Sequence, residues 1–198
     1  MADDLIARLR SEVERASAAL LEEDHWDGVA DHLAQWARRG SVVVAPVVAE
    51  RAPQLLEQVR DRGLAVVVPE GTDSEVMAAV ADADIGVVAG ELAVAESGSV
   101  LVAEHALGDR VVSMLSRRLV VVVPREAVAA ALEDAAAWLA AHAGGTAWFA
   151  SLMTGPSRTA DIERSLTIGV QGPDEVDVVL CAAASNAARP LGAKGAQR

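Results

Sequence analysis

Two short runs hold most of the residues in this chain that could do chemistry: Ala95-Glu96-Ser97-Gly98-Ser99 and Thr154-Gly155-Pro156-Ser157-Arg158-Thr159-Ala160-Asp161-Ile162-Glu163. In the first, Glu96 offers a carboxylate able to act as base, nucleophile or hydroxyl acceptor. Ser97 and Ser99 supply hydroxyls, and Gly98 permits a positive φ or the close approach of a ligand to backbone N–H groups. The same residues also suit a tight hairpin turn with Glu96 in water, and spacing does not choose between the two. In the second run, Thr154 and Gly155-Pro156 make a turn. Ser157 reads as the N-cap of a short helix over 157–164, with the free N–H groups of Arg158, Thr159 and Ala160 pointing outward. A helix N-terminus beside Arg158 is an anion site, and Asp161 one turn in would complement the dipole. The alternative is a well-capped helix with a local Arg158–Asp161 pair.

Other candidates carry less. Arg110, between Asp109 and Val111, is either a surface residue or one that reaches the loop at Glu96. His25, His32, His105 and His142 have no metal-ligand spacing, and His142 falls on an apolar stripe. No phosphate-binding glycine motif and no G-x-S-x-G elbow occurs. Trp26, Trp36, Trp138 and Trp148 read as core or interface anchors.

These runs need elements to hold them. Leu5, Leu9, Val13, Ala16 and Leu20 share one face of a helix expected over 4–22, and Trp26 to Arg38 forms a second that Gly40 ends. From Ser41 the period changes. Apolar strands at 42–44, 64–68, 84–89, 119–123 and 176–180 alternate with helices at 50–62, 73–81 and 125–142, the last closed by Gly144-Gly145. Continuous apolar strands alternating with helices indicate parallel pairing with both faces covered. Short strands at 92–94 and 99–102 flank the Glu-Ser-Gly turn, and 151–153 is a further short strand. The expected organisation is an N-terminal helical segment (1–40) packed on an α/β domain (41–182), with a disordered tail (183–198). Both chemical runs then lie at strand ends on one side of a parallel sheet, where open α/β folds bind ligands.

Composition excludes several function classes. A chain of 198 residues, 52% hydrophobic, is expected to form one sizeable core. Its net charge of −12 opposes nucleic-acid binding and docking on anionic lipid. One cysteine, Cys181, allows neither an intrachain disulfide nor an all-protein iron–sulfur cage, which fits a reducing, cytoplasmic setting. The acidic N-terminus does not read as a signal peptide, and no apolar run reaches the ~18 residues of a membrane span.

The first run resembles the A-E-[ST]-G-[ST] signature of the LUD domain, the family of lactate-utilisation proteins. The second, with Gly169-Val170-Gln171-Gly172-Pro173 after it, resembles the second signature of the C-type members, and the likeness covers roughly residues 3–182. It implies a three-layer α/β sandwich with a mainly parallel sheet, similar to the ribose-phosphate isomerase and CoA-transferase superfamily. It also implies a role in oxidising L-lactate to pyruvate together with a cysteine-rich and a ferredoxin-like iron–sulfur subunit. The clusters would sit in those partners, with no cofactor in this chain. Gln171 departs from the His that members commonly carry, so no proton-transfer role is carried over to it. Three functions stand open: a cluster-free subunit that binds a small organic anion or organises partners, an acyl- or CoA-transferase using Glu96, and a purely structural interaction protein.

Overall fold

The computed structural model describes residues 2–71, 73–143, 149–160, 166–168 and 172–187. Its spine is a parallel sheet in the order β1-β11-β6-β4-β2-β3, with strands β1 (Ala19–Glu23), β2 (Ser41–Val44), β3 (Ala65–Val67), β4 (Ile85–Val94), β6 (Arg118–Pro124) and β11 (Glu175–Cys181). The centre is nearly pure valine: Val120, Val121 and Val123 of β6, a strand paired with β4 and β11, are fully buried. Such runs need cover on both faces, and helices supply it. Alternation along β4 puts Gly86 and Ala89 on opposite faces. The position of a Cβ on Gly86 is filled by Val112 and Ser116, so α6 (Leu107–Leu115) lies directly on that face. On the other face, Ala89 lies near Trp26 of α2 (Trp26–Trp36) and Val48 of α3 (Pro46–Arg51). Leu55, Leu56 and Val59 of α4 (Pro53–Asp61) are buried too. The three-layer α/β architecture expected from the sequence is therefore present.

The second half of β4 leaves the parallel spine after a register shift between Gly90 and Leu92. It then forms a hairpin with β5 (Ser99–Glu104), which pairs antiparallel with β8 (Phe149–Met153). The two-residue β7 (Val128–Ala129) runs parallel to the far end of β4. The remaining elements are α1 (Ala2–Arg15), α5 (Ser74–Asp82), α7 (Leu132–His142) and a two-stranded ribbon of β9 (Arg158–Ala160) and β10 (Leu166–Ile168). No helix among the described residues is long and apolar enough to cross a membrane.

Several expectations are corrected. The first helix stops at Arg15, Ser17 takes φ 64°, and residues 19–23 form a strand that pairs with β11. The N-terminal segment thus contributes to the spine. The helix expected over 50–62 is two helices, because Pro53 cannot continue the helix of α3 and starts α4 at its first turn. The helix expected over 125–142 begins only at Leu132; Arg125–Ala127 is a 3₁₀ turn and 128–129 pair with β4. His142 is exposed rather than on a core stripe. A 3₁₀ turn at Ala182–Ala187 carries regular structure beyond residue 183, with Ala184 buried, whereas Gly144, Gly145, Trp148 and 188–198 lie outside the described residues.

Candidate functional site

Register alone brings the two runs together. Val94 pairs with Ser99 and Val100 with Met153, so Ser99 and Thr154 are neighbours one step beyond the ladder. Ser97 Oγ donates to Ser99 Oγ at 2.8 Å, and Ser99 Oγ lies 2.7 Å from Thr154 Oγ1. The intervening turn is held by Ser97 N and Gly98 N, which both donate to Val94 O. Gly98 takes φ +67°, and a Cβ there would sit 2.6 Å from the Glu12 carbonyl carbon. Gly155 takes φ +70°, and its Cβ would fall 2.3 Å from the Ala16 carbonyl oxygen. Both signature glycines are therefore required because the C-terminal end of α1 lies directly on their loops. The group that approaches them is the protein's own backbone.

The charged members also find protein partners. Glu96 is exposed, and its Oε2 accepts from Leu132 N at 3.0 Å. Leu132 opens α7, so the carboxylate caps a helix N-terminus where the dipole favours it. Arg158 donates from Nη2 to Ala16 O at 2.7 Å and to Ser17 Oγ at 2.6 Å, a cation placed just past the C-terminus of α1. The helix expected from Ser157 is absent where it should begin. Arg158–Ala160 is strand, with Thr159 opposite Thr167, and Ser157 N donates to Pro173 O at 2.9 Å. Cross-strand pairing overrides the N-cap signal, so the amide-lined anion site inferred for Arg158, Thr159 and Ala160 does not form. Asp161, Ile162, Glu163 and Gly169 to Gln171 lie outside the described residues.

Arg110 does not serve the Glu96 loop. Its guanidinium lies 3.8 Å from Glu104 Oε2 and 3.7 Å above the Phe149 ring. Glu104, at the end of β5 and buried, accepts from Ser113 Oγ, and burial pushes its carboxyl above the usual range. Asp109 is 2% exposed and accepts from Val47 N, His105 N and Ala106 N at 2.9, 3.1 and 2.9 Å. Arg51 and Glu91 form an ion pair at 2.8 Å with 13% of each side chain exposed. Sequence reasoning misses Glu91, Glu104 and Asp109. The signal available is a lone carboxylate within or shortly after an apolar strand, a residue type almost never buried unless paired.

The LUD domain matches residues 2–181 of the chain. Lactate utilization protein C of Bacillus subtilis (strain 168) is 28% identical over 192 residues, covering 90% of this chain and 79% of the relative. The proteins of the same name from Geobacillus thermodenitrificans and Oceanobacillus iheyensis are 33% and 30% identical over 98 and 113 residues, 48% and 56% of this chain. Those two matches span only 41% and 48% of the relatives' lengths, less than half of each. The crystal structure of a DUF162 family protein from Deinococcus radiodurans superposes with a TM-score of 0.65 at 19% identity, covering 91% of this chain and 98% of that one. That likeness concerns the fold.

Proposed function

This chain belongs to the LUD domain family, and from that premise we propose that it is the cluster-free subunit of an L-lactate utilisation system. It works beside iron–sulfur partners, one cysteine-rich and one ferredoxin-like, in the cytoplasm. The relatives named lactate utilization protein C support the pathway. The observation that carries the subunit role is how the signature residues are used. Glu96 caps α7, Ser99 bonds Thr154, and Arg158 closes the end of α1. The two signatures thus tie separate elements together by hydrogen bonds, which supports a surface that holds partners in place rather than a site that does chemistry. The lone Cys181, fully buried and with its thiol pushed up by burial, supplies no ligand set for a cluster of its own.

Deleting the gene and supplying the chain in trans tests the reading. Growth on L-lactate should fail in the deletion strain and return with the wild-type chain, which should co-purify with iron-containing subunits. Normal growth without the chain overturns the pathway. Oxidation of L-lactate by the isolated chain with an artificial acceptor overturns the cluster-free role.

A further inference from the structure

We propose that a cleft at the amino ends of β4, β6 and β11 binds a small phosphate-bearing ligand. The cleft measures about 230 Å³, a size that suits a ligand smaller than a drug molecule. Two adjacent arginine pairs line it, Arg38-Arg39 just past α2 and Arg117-Arg118 where β6 begins. Carboxylates line it too, from the turn ahead of β4 and the start of β11. None of these residues belongs to the signature loops. Those loops lie beyond the other end of β4, a ten-residue strand and therefore about 30 Å away along the chain.

The ligand class follows from which charges are already spent. Asp84 Oδ2 accepts from Arg39 N at 2.7 Å and Ser41 N at 3.2 Å, which fixes the backbone carrying the first arginine pair. Arg118 pairs with Asp177 at 2.7 Å and with Glu175 at 3.1 Å, and Arg117 with Asp174 at 3.3 Å. The Arg38 and Arg39 side chains are exposed and have no hydrogen bond or ion pair among the described residues. Against these two guanidiniums stands Asp82, a lining carboxylate that also lacks a partner among the described residues. The uncommitted charge of the cleft is therefore positive, in a chain of net charge −12. Arg117 adds to it: its side chain is 75% exposed, and so exposed a pair is worth little, so it is free to exchange Asp174 for a stronger anion. A monocarboxylate brings Arg117 nothing that Asp174 does not offer. A phosphate monoester brings a charge of about −1.5 to −2 and three acceptor oxygens, which suit guanidinium forks. Trp36, also in the lining, limits the rest of the ligand. Its ring carries the Arg118 guanidinium at 4.1 Å and the His32 ring at 5.1 Å, and two groups stacked so closely take both faces. No platform is left for a nucleobase, so the ligand is a compact phosphate and not a nucleotide.

The inference is independent of the lactate reading, and so is its test. Uniformly ¹⁵N-labelled full chain is titrated with sodium phosphate, glycerol 3-phosphate, acetate and chloride at constant ionic strength. The indole N–H resonances are followed, with Trp36 assigned through Trp36→Phe. The Trp36 resonance should move saturably with both phosphates at a Kd of about 0.1–5 mM, while those of Trp26 and Trp138 stay still. Acetate should bind about tenfold more weakly or not at all, since it carries one charge to the phosphate's two. The double variant Arg38→Gln/Arg39→Gln removes two exposed cations without partners among the described residues, so it should melt as wild type does and bind phosphate about tenfold more weakly. Arg117→Gln is the second variant and should weaken binding by about threefold. Tighter binding of glycerol 3-phosphate assigns an ester as the ligand, tighter binding of inorganic phosphate assigns the free ion, and either order supports the site. No saturable shift, an equal response to chloride, or full affinity retained in the variants overturns it. Acetate binding as tightly as the phosphates overturns the phosphate class.

Discussion

Glu96 and Arg158, which look reactive in this sequence, are engaged in holding backbone. Glu96 illustrates it: a nucleophile must be free to leave its hydrogen bond, whereas a helix cap only needs an acceptor oxygen. Glu96→Gln keeps that oxygen for Leu132 N and forfeits only charge–dipole attraction, about 0.3–1 kcal/mol. Complementation of growth on L-lactate should be unchanged and the melting temperature only slightly lower. Loss of growth in a variant that melts normally would favour the transferase reading. Gly98 is less forgiving. Gly98→Ala forces a Cβ against the backbone of Glu12 at positive φ, and should cost about 1–3 kcal/mol or more in urea unfolding. Glu104 adds a pH term. Burial raises its carboxyl pKa, so the folded chain holds the proton more tightly than the unfolded one. The stability it contributes is present in acid and is lost as pH rises from the ordinary value of 4.5 through the raised folded value. Glu104→Gln should therefore gain on wild type as pH climbs from about 4.5 to 7, read as a growing difference in Tm; a constant difference would show that the carboxyl does not titrate in that window.

At the scale of elements, Asp109 is the joint to break. It ties the start of α6 to the start of α3 by accepting three backbone N–H groups. Asp109→Ala should cost about 3–5 kcal/mol, since each orphaned donor carries its own desolvation penalty. Asp109→Asn, with one acceptor oxygen left, should fall in between, as chemical denaturation would report. The same scale explains what is legible in the sequence. The Val-rich strands at 42–44, 119–123 and 176–180 and the hairpin around Gly98 are readable, because continuous β-branched runs and a positive-φ glycine admit few alternatives. The convergence of the two signatures is expected as well, but the structure reaches it through the antiparallel pairing of β5 with β8 and not through strand ends of the parallel spine. β1 is hidden: Ala19-Leu20-Leu21-Glu22-Glu23 is made of good helix formers, and only its pairing with β11 makes it a strand. The break in the long helix at 125–142 and the strand at 158–160 have the same origin, cross-strand partners that no local period reveals. The roles of Glu96 and Arg158 are illegible for a related reason. Leu132 and Ala16 are 36 and 142 residues from them, beyond any local pattern.

For the molecule as a whole, the N-terminal segment is structural rather than an appendage. α1 buries Leu9 and Val13 fully, and Arg10 bonds both Leu20 O and Glu22. Arg125, from the far end of β6, also pairs with Glu22 and holds that carboxyl below the usual range by its hydrogen bond. Deleting residues 1–22 should leave β11 as a bare edge and the apolar face beneath α1 open. The expected outcome is insoluble or molten protein, checked by near-ultraviolet circular dichroism; a sharply melting, soluble deletion product would show that the segment is dispensable. The pairing of β1 with β11 also sets a clock on biosynthesis. Ala19 is partnered by Asp177, so the strand that completes the spine leaves the ribosome long after β1. At translation speeds of about 5–20 residues per second, β1 waits roughly 8–30 s for its neighbour. In the last part of that interval, once β6 has been made and before β11 follows, the nascent chain carries a valine-rich half-sheet with an open edge, a natural substrate for chaperones that bind emerging chains.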